Sequence, residues 1–277
     1  MKNTTRVSFP FTLLLFWFRR ILWLWLLVGF WIFIIQVIQC SIAQDNEIVK
    51  MTLDFFDKMP GFVKEAVGGE ILDINGTIGF IAITYQHPLV LALYMIFAVS
   101  VPTGLLAGHV QSGTMELILS RSVTKNQIYI CACILTLVGM SALVVVMFLG
   151  TVTGINICNF EEEVTLRPFF RASIVGGLLS ATAAGVALLA SATFRNRGRA
   201  VGLAMTYFII NYFVDLIAQW WPRAKFMGPA SIFYYLDSRK ILIETAWPIR
   251  DMCILGSILI VTVIAGGIIW NRRDLPL

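Results

Sequence analysis

"ILWLWLLVGFWIFIIQVIQCSIA" runs from Ile21 to Ala43 and contains no Asp, Glu, Lys or Arg. It matches the roughly 20 apolar residues that a helix needs to cross the hydrocarbon core of a bilayer. Arg19 and Arg20 stand immediately before it. Apolar runs recur at 88–107, 128–152, 173–193, 200–218 and 250–270, charged only at Asp215 and at Arg250 and Asp251, which open the last. The chain is 58% hydrophobic and only 13% charged, where a soluble domain carries roughly twice that charge. These features imply an all-α integral membrane protein, a single transmembrane domain over 1–277 with six spanning helices. Ser41-Ile42-Ala43 also fits a signal-peptidase site, but the apolar run exceeds the ~7–15 residues of a signal core. An uncleaved first helix is expected, with a cleaved signal as the alternative.

Outward from this span the charges sort by side. In front of it, "SFPFTLLLFWFRR" (8–20) is too short to cross, and its two arginines resist burial. A helix lying in the membrane interface is expected there, the alternative being an extension of the first span. Six spans put both termini on one side. On that side the end and loop segments hold eleven basic residues (Lys2, Arg6, Arg19, Arg20, Arg121, Lys125, Arg195, Arg197, Arg199, Arg272, Arg273) against Glu116 and Asp274. Positive charge marks the cytoplasmic side, so both termini are expected to be cytoplasmic. The net charge of +5 is thus an anchor pattern and gives no sign of nucleic-acid binding.

The loop 44–87 is expected outside. It holds seven carboxylates against three lysines. Ile48, Met51, Phe55 and Met59 fall at helical spacing before Pro60-Gly61, which predicts a short amphipathic helix against the membrane or the bundle. A second outer loop carries Glu161, Glu162 and Glu163. A third, 219–247, holds Arg223, Lys225, Arg239 and Lys240 among aromatics suited to the interface. "FRNRGR" (194–199) is a tight basic turn between the fourth and fifth spans.

Little here can carry chemistry. There is no phosphate-binding glycine loop and no HExxH or CxxC pair. His87 and His109 lie at opposite ends of one predicted helix and cannot share a metal. Cys131 and Cys133 point to different helix faces. A Cys40–Cys158 disulfide is possible by location alone. The fourth span places Ser173, Gly177, Ala181 and Gly185 at spacing four, a stripe that lets helices approach closely. It marks either an interface that slides or static packing within one subunit. The fifth span carries Tyr207, Asn211 and Asp215 on one face. They are candidates for a substrate pathway, or else an interfacial Asp partnered by Tyr or Arg side chains; Asn211 lies deeper than Asp215.

The polar stretch 108–127 joins the second and third spans. Gly113 breaks the preceding helix and Thr114 is the expected N-cap. Met115, Ile118 and Leu119 form one apolar side of a short helix. Glu116 sits in its first turn, where a carboxylate suits the helix dipole. Ser120 and Arg121 end it.

"SGTMELILSRSVTKNQIYI" resembles the cytoplasmic loop of ABC type-2 permeases. Gly113, Thr114, Glu116, Leu117, Leu119, Ser120, Val123, Thr124 and Lys125 carry the match. Ser122 stands where many members have Pro, and residues 109–112 replace their usual acidic start. The ending "WNRRDLPL" is similar to the same family's terminus through Trp270, Arg272, Arg273, Asp274 and Leu275. The resemblance implies the permease subunit of an ATP-driven exporter in a plasma (inner) membrane. Such a subunit is no enzyme itself and works as a homo- or heterodimer with a second permease subunit. A separate ATPase subunit would hold ATP and Mg, and this chain would hold no cofactor or metal. Gly113, Thr114, Glu116, Leu117, Leu119, Arg121 and Lys125 would then form the coupling segment, and the interfacial N-terminal helix would also touch the ATPase. The alternatives are an accessory permease for maturation of an extracytoplasmic metalloenzyme, a non-transporting scaffold, and an ion channel, which the sparse intramembrane polar groups disfavour.

Overall fold

The computed structural model describes residues 10–58, 60, 76–158, 160, 164–236, 241 and 247–274. Among these the regular structure is entirely helical. In chain order the α-helices are α1 (Phe11–Ala43), α2 (Asn46–Asp57), α3 (Gly76–Ala82), α4 (Pro88–Leu105), α5 (Ala107–Gln111), α6 (Thr114–Leu119), α7 (Lys125–Ile157), α8 (Arg167–Thr193), α9 (Arg197–Trp220) and α10 (Ile249–Arg272). Short 3₁₀ segments lie at Ile83–Tyr85, Pro222–Ala230 and Phe233–Tyr235. Six helical segments are long and apolar enough to cross a membrane, as a multi-pass membrane protein requires.

The helix α8 is the centre of the bundle. Its most apolar window is 78% buried, against 11% for α10, and it packs against α4, α7, α9 and α10. Its small side chains make this possible. A Cβ at Gly177 would overlap the side chain of Val144 on α7. One at Gly185 would come within 2.5 Å of the Thr262 hydroxyl on α10. The stripe expected from Ser173, Gly177, Ala181 and Gly185 therefore serves more than one neighbour, and these contacts lie within this chain. A second stripe, Gly150 and Gly154 on α7, receives α1. A Cβ at Gly154 would sit 2.6 Å from the Cβ of Cys40, and one at Gly150 would sit 3.0 Å from that of Gln36.

Several boundaries differ from the sequence-based expectation. The segment 8–20 is not a separate interfacial helix over its described part, because α1 is continuous from Phe11 to Ala43. Arginine is a good helix former, so Arg19 and Arg20 end nothing. The helix is about 50 Å long at 1.5 Å per residue, well beyond a ~30 Å hydrocarbon core. Its first turns lie at the end of the bundle where the basic loops lie, with Trp17 and Arg20 against His109.

The second span is compound. Gly76–Tyr85, expected in an outer loop, is helical, and Ile81, Ala82, Thr84 and Tyr85 are buried in the bundle. The chain breaks at Gln86–His87, where the His87 ring caps α4, and again at Leu106. The third span begins at Lys125 rather than 128. A capping box starts it: Thr124 accepts from the Gln127 N–H, and the Gln127 side chain accepts from the Thr124 N–H. The fourth, fifth and sixth spans extend to 167–193, 197–220 and 249–272.

Cys40 and Cys158 are free thiols, and the Cys158 thiol lies 3.7 Å from the Ser41 hydroxyl. The amphipathic helix expected in 44–87 is present as α2. Ile48, Met51 and Phe55 on it are exposed rather than packed on the bundle. Lys2, Arg6, Ser8, Phe9, Met59, Gly61, Glu65, Glu70, Asp73, Glu161, Glu162, Glu163, Arg239, Lys240 and Leu275 lie outside the described residues.

Gly177→Leu forces a branched side chain into the α8–α7 contact and is expected to cost on the order of 1–3 kcal/mol. At Gly202, where an added Cβ meets nothing within 4 Å, the same change is expected to be neutral or slightly stabilising. Thermal unfolding of both variants in one detergent measures the difference.

Candidate functional site

The connector between the second and third spans is built from two short helices. Leu106 leaves the helical path with φ −104° and ψ −78°, and α5 restarts at Ala107. Gly113 then adopts φ +70°, the one positive φ among the described residues, which costs glycine little and other residues more. Gly113, rather than Thr114, is therefore the residue that precedes α6. Thr114 is the first helical residue, and its hydroxyl points back to the turn, 2.7 Å from His109 Nδ1 and 2.8 Å from Ser112 Oγ.

This turn sets which side chains face outward. Met115 is buried, while Ile118 and Leu119 are half-buried against the core. Glu116 and Arg121 are exposed, and Leu117 is 69% exposed. The short helix thus anchors through Met115 and presents a carboxylate beside a bare leucine. Ser120 closes it, its hydroxyl donating to the Leu117 carbonyl at 2.9 Å.

Lys125 belongs to a different arrangement. Its ammonium donates to the Arg273 carbonyl at 2.9 Å, and its own carbonyl accepts from Trp270 Nε1 at 2.9 Å. Arg273 in turn donates through one guanidinium nitrogen to the carbonyls of Ala192 and Phe194, each at 3.0 Å. Those carbonyls close the end of α8, where backbone acceptors lack helical partners. The terminal Trp270–Asp274 segment is therefore a latch across the ends of α7, α8 and α10. Arg195 adds a bond to the Asp274 carbonyl at 3.3 Å. The basic turn before α9 joins the connector through Gln111, whose Oε1 accepts from the Arg197 N–H at 2.8 Å.

Two contacts that sequence reasoning missed tie the connector to α1. Trp17, fully buried, stacks on the His109 ring with centroids 5.6 Å apart. Arg20 donates to His109 Nε2 at 3.2 Å. The available signal was the placement of two arginines and a tryptophan one helical turn apart, just outside the apolar run.

The face Tyr207–Asn211–Asp215 is not uniformly open. Asn211 is buried and fully engaged. Its amide donates to the Tyr207 carbonyl at 2.8 Å and accepts from the Ile232 N–H at 3.0 Å. Its own carbonyl accepts from the Ser231 hydroxyl at 2.7 Å. Asn211 therefore clamps the loop after the 3₁₀ segment Pro222–Ala230 onto α9. Asp215 accepts from the Gln219 side chain one turn away, at 2.8 Å. Among the described residues no group of three or more His, Cys, Asp and Glu side chains is placed to hold a metal ion.

Asn211→Leu leaves the buried Ile232 N–H unpaired, while the Ser231 hydroxyl keeps the backbone carbonyl of residue 211. The substitution is expected to cost about 1–3 kcal/mol and to open 222–236 to protease. Leu203→Ala, at a half-exposed position on the same helix, is expected to do neither. Limited proteolysis read by mass separates the two.

No protein-family model and no curated protein matches this chain.

Proposed function

We propose that this chain is the membrane-spanning permease subunit of an ATP-binding-cassette exporter, coupled through α6 to a separate ATPase subunit. The observation that carries the reading is the outward pair Glu116 and Leu117 on a helix held rigidly between two spans. An isolated exposed leucine is ordinary on a protein surface. Here it stands beside a carboxylate, on a water-facing element whose remaining apolar residues are turned inward. That combination suits a small docking knob with one apolar anchor and one charged contact.

The connections favour a mechanical role. Behind α6, the capping box leads directly into α7, and in front of it α5 leads back to α4. In this reading force applied to α6 reaches α4 through the Gly113 turn and α5, and α7 through the short 120–124 segment that the capping box closes. In this reading ATP and Mg are bound by the partner, and its closure tilts the spans. Glu116, Leu117 and Arg121 make the docking surface. Gly113 and Thr114 shape the turn, Leu119 seats the helix, and Lys125 holds the start of α7 to the Arg273 latch. The side carrying both termini is then the cytoplasmic face of the inner membrane. A second permease subunit, alike or different, completes the pathway. The mostly uncovered apolar faces of α9 and α10 are where that subunit or lipid packs.

Affinity purification from native membranes in mild detergent tests the partner. A soluble ATPase of about 25–35 kDa, one ordinary domain or two, is the expected companion; its absence overturns the reading. Glu116→Arg and Leu117→Asp are each expected to leave membrane insertion intact and to lower partner ATP turnover at least about tenfold. Unchanged turnover in both variants removes α6 from the coupling role.

A further inference from the structure

The bonds around His109 determine where its proton sits. Arginine only donates, and Arg20 is bonded to Nε2. Nε2 must therefore be the bare, accepting nitrogen. A neutral imidazole then carries its proton on Nδ1, which donates to Thr114 Oγ1 at 2.7 Å. The Thr114 hydroxyl is left to donate to Ser112 Oγ or to the His109 carbonyl. Trp17 fixes the ring plane from the other face, its ring inclined by 21°. One neutral histidine thus joins the N-terminal part of α1 to the first turn of α6.

We propose that His109 is the positioning residue of the connector: as the Nδ1-protonated neutral tautomer it bolts α6 to α1, and a second proton on Nε2 releases the bolt. This deepens the coupling reading above and rests on it for its consequence in transport, but not for its chemistry. A proton on Nε2 removes the acceptor that Arg20 uses and sets two cations against each other. Among the described residues the surroundings give that charge no compensation. From α1 the facing groups are Arg20 and the uncharged Trp17. From α9, Arg197 runs along Gly108, 3.5 Å from where a Cβ would stand there. The connector's own carboxylate, Glu116, is exposed. Burial first, and the Arg20 charge second, hold His109 below the ordinary histidine range. A group whose pKa is depressed on folding contributes its stability above the unfolded value of about 6.5. That contribution is lost as pH falls through the lower, folded value. The joint is accordingly closed at neutral pH and weakens on acidification.

The chain has two histidines, so ¹⁵N-histidine labelling with a His87→Asn variant assigns both resonances in lipid nanodiscs. His109 is expected as the Nδ1–H tautomer at pH 7.5, titrating below the free imidazole. In Arg20→Gln its pKa is expected to move up. An Nε2–H tautomer, a pKa at or above the ordinary value, or no response to Arg20→Gln overturns the assignment. Hydrogen exchange of 114–120, corrected for the intrinsic pH dependence, reads the mechanical consequence. Lowering the pH from 7.5 to 5.5 is expected to cut protection of α6 roughly tenfold. His109→Ala is expected to do so already at pH 7.5, and His109→Gln, which keeps an acceptor and a donor, to restore much of it and remove the pH dependence. Equal protection of α6 under all these conditions overturns the positioning role. None of these readouts uses the ATPase, so failure of the coupling proposal and failure of this one give different results.

Discussion

The bundle depends on how closely other backbones can approach α8. Lipid tails are as apolar as leucine, so burial alone does not drive helices together inside a membrane. Close packing and interhelical hydrogen bonds have to supply the preference. The helix α8 meets that condition with Gly177 under Val144 and Gly185 under Thr262. Its polar residues do not spoil the fit. Ser180 and Ser191 return their hydroxyls to carbonyls one turn back, and Thr182 reaches across to the Leu255 carbonyl on α10 at 3.1 Å. Neighbours on four sides can then seat against one narrow helix. Large side chains at these positions would push α7 and α10 outward together.

At the basic end the helices are joined by polar contacts instead. The start of α7, the end of α8 and the end of α10 share Lys125, Trp270 and Arg273. The base of α1 and the connector share His109 and Arg20, and α9 enters through Gln111. Each of these bonds satisfies a backbone group or side chain that would otherwise compete for water at a helix terminus. The practical effect is that α6 is attached to every span through at most a few rigid steps. A push on it displaces a connected frame, not a loop.

Much of this architecture is legible in the sequence, for identifiable reasons. Spans of apolar residues announce themselves by length, and the helix α6 is announced by Gly113, Glu116 and the hydroxyl-rich flanks. What escapes is whatever depends on a partner far along the chain. Tyr207, Asn211 and Asp215 read as a polar face because they recur every four residues. Only the fold brings Ser231 and Ile232 onto Asn211 and turns that face into a clamp. Arg19 and Arg20 suggested a break because their charges resist lipid; in the structure the helix runs through them, both are exposed, and Arg20 finds His109 on the connector. Thr114 fits the chemistry of an N-cap, but the positive φ of Gly113 moves the cap one residue earlier and leaves the hydroxyl for His109. Gly150 and Gly154 carried a readable small-residue signal. Its importance becomes visible only once Cys40 and Gln36 lie against it.

The connector's brevity completes the argument. A helix of six residues cannot hold itself together in water, because nucleation costs more than so few internal bonds return. Its shape is borrowed from the glycine turn, the Met115 anchor, the His109 bond and the capping box that follows. Linkage makes such borrowing reciprocal: if the arrangement of the spans determines how α6 presents Glu116 and Leu117, then whatever grips those two side chains biases the arrangement of the spans by the same free energy. In the coupling proposed above, a longer, self-sufficient helix at this place would dock as well and transmit less, because its shape would not depend on the spans.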